Sequence, residues 1–446
     1  MHLESRKIVM RFAVSLRCIG RNMAWTARPV AIGCGLIIMI ASAMPITPGP
    51  LPRSVSATTT GTRTILQTVR VGTNPVEALP DERTHRVFVL SSGAPSTATP
   101  GVAHYSLAVL DTLTGRVLRT IRFGPHEYIF AATVDERLGR VFLAVNSAVT
   151  PTNTPSGIGS LLLLNEANGA ILRRIVVGPT IDDFGNDERT GRLFVSTSAV
   201  GKGARSLRVL SAMTGTLLRT FVVDDQGLAI DTRTGQIAVL EPNDLRILDP
   251  VTGRGRTLPV VGDNIAIDSR PGHILVDETN TSGGISLPNI QVIDEASGKN
   301  INLLLAQSSD SDGGQGLLID EQAGLVFTNY QDSYRHVNVI NVVSTRDGHS
   351  VTQLVLDADG NAAVSLDIDE RANHLYVADA QTLPNSTSTY GPTQVFIYDA
   401  SRGNLVRVIA TPGIGPPAIT VDAQDRRVFV ANSGGDTVTI LDTTHV

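Results

Sequence analysis

Pro412–Thr443 reads PGIGPPAITVDAQDRRVFVANSGGDTVTILDT. A short apolar strand ends in Asp422, a charged turn follows, a second strand covers Val428–Ala431, and Gly434-Gly435 open a turn. A third strand, Val438–Leu441, is closed by Asp442. The same statement recurs upstream, and repetition at a fixed period decides fold before any local signal does. Aligned on the Asp that ends the first strand, the anchors are Asp81, Asp135, Asp187, Asp231, Asp268, Asp320, Asp369 and Asp422. Each is followed by an apolar second strand, a loop of variable length, and a third strand ending in Asp111, Asn165, Ser211, Asp249, Asp294, Asn341, Asp399 or Asp442. A Gly usually sits four residues on (Gly115, Gly169, Gly215, Gly253, Gly298, Gly403), and a fourth strand follows, as in Val117–Ile121 (VLRTI) and Leu217–Val222 (LLRTFV).

Four short strands per unit of about 45–50 residues are the signature of an all-β propeller built from four-stranded antiparallel blades. Eight blades are expected. Seven would result if a degenerate unit, around Asp231–Gly253 or Asp320–Gly348, is not a full blade. The last repeat lacks a fourth strand, and Thr64–Val71 (TILQTVRV) resembles one. Pairing the two ends closes the ring and removes exposed edges. The Asp and Gly residues are turn chemistry: a short acceptor fixes an Asx-turn and Gly supplies the positive φ of a tight hairpin.

Residues 1–44 differ from the rest. Arg6, Lys7, Arg11, Arg17, Arg21 and Arg28 stand against the single Glu4, before the apolar run Val30–Met44 and the small-residue site Ala41-Ser42-Ala43. This reads as a signal peptide or an N-terminal membrane anchor, with Met23 a more typical start than Met1. Residues 45–63, rich in Pro, Ser and Thr, read as a linker, and 64–446 as the propeller. Without residues 1–43 the net charge of −5 becomes −10. An acidic body without a Lys/Arg cluster argues against nucleic acid, and membrane contact is expected only through the N-terminal segment. Both cysteines, Cys18 and Cys34, lie in that segment. The body therefore has no disulfide, thiolate nucleophile or Cys-ligated metal.

The units VFVANSGGDTVTILDT, HLYVADA…QVFIYDASRGNLVRVI and SLAVLDTLTGRVLRTIRFG resemble YVTN-type repeats of the YncE-like branch of bacterial extracytoplasmic propellers. The resemblance covers about residues 64–446 and implies an envelope binding protein. Related propellers include surface-layer-associated proteins, lactonase-like enzymes and haem-d1 or quinoprotein domains. That branch usually has seven blades, so a count of eight departs from it.

The innermost strands of a propeller line its axis. Residues four to six before each anchor Asp set one mouth: Glu77, Asp182, Asp183, Asp225, Gln226, Asp263, Asn264, Gln315 and Ser365, with His126, Glu127 and Tyr128 slightly earlier in their repeat. These carboxylates and amides are the expected ligand site. Oxygen donors suit Ca²⁺, with Asp182, Asp183 and Asp263 as its candidate ligands, or a cationic or polyhydroxylated ligand; otherwise no cofactor is expected. No residue is assigned a catalytic role. His126 beside Glu127 is the best acid–base pair, but neighbours on a strand face opposite ways. His85, His273 and His374 read as equivalent turn residues. Gly283-Gly284, Gly313-Gly314 and Gly434-Gly435 lie in connections that open no helix, so they do not cradle phosphate. Long loops (Ser91–Tyr105, Ser147–Gly159, Asp277–Pro288, Ala380–Thr393) share one face. The sequence thus points to an exported or anchored monomeric scaffold that binds an envelope protein or small ligand. The alternative is a lactonase-like or other hydrolase using a divalent cation at the acidic mouth.

Overall fold

The computed structural model describes residues 64–93, 104–125, 127–147, 157–178, 180–198, 205–282, 285–305, 317–332, 337–356, 363–382, 390–415 and 417–446. The expected segments 1–44 and 45–63, His126 and Gln315 lie outside them.

The repeat becomes eight antiparallel sheets of four strands each. Their innermost strands, from blade 1 to blade 8, are Pro75–Asp81, Glu127–Asp135, Thr180–Asp187, Gly227–Ile230, Asn264–Asp268, Leu317–Asp320, Ala363–Asp369 and Pro417–Asp422. Each packs on the next, and the last packs on the first. Both units that read as degenerate are full blades; blade 4 is built from strands of only four residues. Ile65–Arg70 completes blade 8, with Ile65 opposite Leu441 and Arg70 opposite Thr437. The ring closes as the sequence implied.

Burial follows position within a blade. Second strands such as Arg86–Ser91 and Arg140–Ser147 are buried almost throughout, because each sheet is covered by a neighbour on both faces. The scarce aromatics are concentrated in one slot. Phe88, Phe142, Phe194, Phe327, Tyr376 and Phe429 each occupy the third residue of the second strand, and each is 0% exposed. Outermost strands instead leave Leu118, Leu172, Leu218, Val222 and Val406 exposed.

The turns work as read. The Asp111 carboxylate accepts the Thr114 N–H at 2.8 Å, and Gly115, at φ 65°, donates its N–H to the Asp111 carbonyl at 2.8 Å. Blade 6 corrects the alignment. Its third strand runs to Ser344, and Gly348 donates to the Ser344 carbonyl at 2.9 Å. Asn341 is a buried mid-strand residue opposite Thr328. A second correction concerns Asp277–Pro288. Most of this expected loop is strand: His273–Ser282 pairs with Ile285–Asp294 as far as Ser282 opposite Ile285. A third concerns histidine. His273 and His374 begin second strands, opposite Asp268 and Asp369, whereas His85 sits one residue earlier, in its turn at φ 56°.

Two sets of polar latches join the blades at the turn face. Near the axis, at six of the eight junctions, the residue after the anchor Asp donates its backbone N–H to the side chain at the same position in the next blade. Glu82 donates to Glu136 (2.9 Å), Glu136 to Glu188 (3.3 Å), Thr232 to Ser269 (3.2 Å), Ser269 to Glu321 (3.2 Å), Glu321 to Glu370 (3.3 Å) and Ala423 to Glu82 (3.1 Å). At the rim, a side chain on the outermost strand reaches a turn carbonyl of the next blade: Gln67 to Thr114, Arg119 to Asn168, Arg173 to Thr214, Arg219 to Val251 and Arg256 to Ala296. The recurring Leu-Arg of VLRTI, ILRRIV and LLRTFV is this rim latch.

Candidate functional site: the acidic mouth

The mouth opposite the turn face carries the carboxylates singled out from sequence, and the structure divides them into groups. Glu127 is tied down. It pairs with Arg174 on the outermost strand of its own blade and accepts the Gly124 N–H at 2.9 Å. Glu77 is half-buried opposite Leu90. Tyr128 rests edge-on against Tyr105, ring centroids 5.4 Å apart.

Blades 3 and 4 bring together Asp182, Asp183 and Asp225. Asp183 accepts the Phe184 N–H at 2.7 Å and, across the junction, the Leu228 N–H at 3.1 Å. Asp225 is 3% exposed, with the Ser196 hydroxyl and the Gly227 N–H as its polar neighbours, and the buried Oδ2 of Asp182 has no hydrogen-bond partner. Burial, followed by repulsion from Asp225, holds the Asp183 carboxyl well above the usual range. Burial likewise raises Asp225, against the Ser196 hydroxyl, the Gly227 N–H and Arg205, which favour its charged form. Gln226 and Asp224 are exposed beside this cluster, and Asp224 lies 3.5 Å from Arg205.

Blade 5 holds a separate group. Asp263 is exposed and donates its backbone N–H to the Asp277 carbonyl at 2.7 Å; the Asn264 amide donates to Asp277 Oδ2 at 3.3 Å. Asp277 is fully buried with Oδ1 unpartnered, and burial pushes its carboxyl up to about 6. In blade 7, Asp379 is 1% exposed with both oxygens unpartnered, and burial pushes it up to about 7. Sequence reasoning missed Asp277 and Asp379 because they stand on second strands, where other blades carry apolar or small residues. The available signal was an acidic residue ending a β-run, as in ILVD and LYVAD.

The position of Asp183 has a structural cause. The axial latch requires a side-chain acceptor after the anchor Asp. At the junction of blades 3 and 4 that position is Thr232, and at the junction of blades 7 and 8 it is Ala423. Those same two junctions are bridged nearer the mouth. Asp183 takes the Leu228 N–H, Asp367 takes the Val421 N–H at 2.7 Å, and the Ser365 hydroxyl takes the Ile419 N–H at 3.2 Å. Inner strands have one edge with no further strand beside it, so their N–H groups need such acceptors.

Asp263, an expected Ca²⁺ ligand with Asp182 and Asp183, belongs to the blade 5 group rather than to the cluster at blades 3 and 4. Among the described residues no three His, Cys, Asp or Glu side chains converge in a geometry that holds a metal ion. Of the described histidines, His85 binds Asp425 at 2.8 Å and His273 binds the Thr345 carbonyl at 2.7 Å, both at the turn face. The cluster at blades 3 and 4 is suited to attracting positive charge.

No family model matches the chain, and no curated protein sequence matches it. The likeness is structural. BamB from Moraxella catarrhalis superposes with a TM-score of 0.51 at 12% identity, over 85% of this chain and 100% of its own. The hydrazine synthase of Kuenenia stuttgartiensis superposes with a TM-score of 0.50 at 14% identity, over 71% of this chain and 96% of its own. At such identities the likeness is one of fold, and a shared fold does not carry a shared activity. The chain is a β-propeller of eight four-stranded blades.

Proposed function

We propose that the chain is an exported or membrane-anchored propeller of the YncE-like kind, serving as a non-catalytic binding scaffold in the cell envelope. One observation carries this reading. The polar residues that recur from blade to blade form turns and latches, whereas the acidic residues of the opposite mouth, Asp182, Asp225, Asp277 and Asp379 among them, follow no repeat. A rigid ring that spends its repeated polar groups on its own assembly, and keeps an irregular acidic face, suits recognition of a cationic surface on a protein or small ligand. The basic flank and apolar run before residue 44 support export. No described residues assemble a nucleophile, base and oxyanion donors.

The test has two arms. Fusion of alkaline phosphatase after residue 446 should give active phosphatase outside the cytoplasm; activity confined to the cytoplasm would refute the envelope assignment. Purified full-length protein should leave a panel of lactones and esters intact with Ca²⁺, Mg²⁺ or Zn²⁺ present. Cation-dependent turnover lost in Asp182→Asn would replace the scaffold with the hydrolase alternative.

A further inference from the structure

The rim of the turn face is not uniform. In seven blades the second residue of the outermost strand is an exposed aliphatic, from Leu66 in blade 8 and Leu118 in blade 1 to Val406 in blade 7. The turns leading into these strands differ. Two residues after the strand-closing Asp or Ser stand Leu113 in blade 1, Met213 in blade 3 and Val251 in blade 4, but Arg346 in blade 6 and Ser401 in blade 7. The turn therefore forms with a polar side chain at that place, and nothing in the fold requires an apolar one. Leu113, Met213 and Val251 are 52%, 65% and 57% exposed. The rim latches join them to the neighbouring strands: Arg173, beside Leu172, bonds the Thr214 carbonyl next to Met213, and Arg219, beside Leu218, bonds the Val251 carbonyl at 2.7 Å. Aliphatic side chains massed on one sector, rather than scattered, mark an interaction surface. Arg116, Arg119, Arg173 and Arg254 are exposed among them. The carboxylates of the sector are engaged within the fold. Glu166 is 3% exposed and paired with Arg83, Asp111 pairs with Arg86 at 3.0 Å, and Asp249 accepts the Val251 N–H at 2.7 Å. The chain also enters here. Ile65–Arg70 is the outermost strand of blade 8, and Gln67 bonds the Thr114 carbonyl of blade 1 at 2.8 Å.

We propose that this rim, from blade 8 through blades 1 to 4, rests on an anionic phospholipid bilayer; the proposal rests on the anchored form of the scaffold reading and adds a second membrane contact to the one expected of residues 1–44. Interfacial binding combines aliphatic side chains that enter the headgroup boundary with Arg or Lys that attract anionic lipid. Each latch arginine spends part of its five-donor guanidinium on a turn carbonyl and keeps the rest for phosphate oxygens. Residues 45–63 are 19 in number, a reach of at most about 65 Å from the apolar run that ends at Met44. An anchor on that run holds the disc close to the bilayer by this edge, with the acidic mouth on the face turned from the anionic headgroups. A protein partner fits the sector less well. Protein hot spots are enriched in Trp and Tyr as well as Arg, and none of the exposed large hydrophobics of this sector is aromatic.

Trp25 is the only tryptophan, so full-length Trp25→Phe protein carries no background emission from that residue type. Leu172→Trp and Leu218→Trp report from the rim. Val222→Trp reports from the opposite end of the Leu217–Val222 strand, where Val222 is exposed. Each is reconstituted into vesicles of phosphatidylcholine and phosphatidylglycerol with brominated acyl chains. Emission from the rim reporters should shift to the blue and be quenched about twofold or more, and emission from Val222→Trp should stay as it is without bromine. Exchanging phosphatidylglycerol for phosphatidylcholine should reduce the rim quenching, and so should Arg119→Gln combined with Arg173→Gln. Glutamine keeps a latch donor, as Gln67 does, so that pair removes charge rather than the latch. Circular-dichroism melts check that each variant folds; if the arginine pair does not, the lipid exchange decides the role of charge. Quenching at the rim no greater than at Val222→Trp, or quenching indifferent to anionic lipid, overturns the proposal. A blue shift without vesicles that grows with protein concentration also overturns it and assigns the rim to a second copy of the chain. An unquenched rim in a protein whose phosphatase fusion is active outside the cytoplasm removes the bilayer contact and leaves the scaffold reading standing.

Discussion

The two faces of the ring use the same residue types in opposite ways. At the turn face, carboxylates recur from blade to blade and accept turn N–H groups, whereas at the mouth they follow no repeat. Asp231 accepts the N–H groups of Arg233 and Thr234 and the Thr234 hydroxyl, and its carboxyl lies below the usual range despite burial, because a hydrogen bond from the Glu295 carboxyl together with these bonds outweighs desolvation. At the mouth, Asp379 is as well buried, neither of its oxygens is hydrogen-bonded, and burial raises it. Burial alone therefore says little about a carboxylate. Asp422 accepts the Asp425 N–H in its turn and is still raised to about 7, by burial first, and Asp183 at the mouth is raised although it accepts two backbone N–H groups. The balance of desolvation against the bonds each carboxylate receives, rather than the face, sets its proton affinity.

At the turn face, removing an anchor carboxylate should destabilise at every pH. Asp231→Ala removes the acceptor for three hydrogen bonds in a buried turn and should cost about 3 kcal/mol in urea unfolding; a loss below about 1 kcal/mol would mean the turn survives without its anchor. The mouth should respond with the opposite sign. Asp379 sits at about 7 when folded, against roughly 3.9 in an unfolded chain. The folded protein thus keeps a proton that the unfolded chain releases. Its contribution is full below about pH 4 and is lost as pH rises toward 7. Asp379→Asn should leave stability near pH 4 little changed and raise it by up to about 4 kcal/mol at pH 8. Parallel stability profiles for parent and variant from pH 4 to 8 would show that Asp379 has a partner. Smaller still is the rim latch. Arg173 is exposed where it bonds the Thr214 carbonyl, and Arg173→Ala should shift unfolding by less than about 1 kcal/mol. A larger loss would show that the rim, rather than the axial ring, holds neighbouring blades together.

The fold was legible because turn chemistry is local: Asp and Gly at fixed spacing report a hairpin whatever packs around it. The same spacing exposes the slip in blade 6. Gly348 lies four residues after Ser344, so the Gly placed the turn correctly where the search for an Asx residue settled on Asn341. The blade 5 hairpin was hidden because TNTSGGIS has turn composition throughout, yet its backbone still pairs. The latches were visible as Glu after the anchor Asp and as Arg in LLRT, but their partners lie 32 to 54 residues away, or 341 across the ring closure, and exist only once blades are adjacent. The site was half legible. Symmetry located Asp182, Asp183 and Asp225, whereas which of them is spent on a neighbouring blade depends on Thr232 failing to supply the acceptor that Glu and Ser supply elsewhere.

Ring closure also fixes an orientation. Thr64 enters beside Asp442, whose N–H donates to the Thr64 carbonyl at 2.7 Å, so the chain joins the disc at its circumference and on the turn face. Anything that holds the propeller through the residues before 64 grips it by one edge of that face. The acidic mouth then looks away from the point of attachment. Pulling on that attachment runs along Ile65–Arg70 against its antiparallel neighbour, which loads the ladder in shear rather than unzipping it one bond at a time.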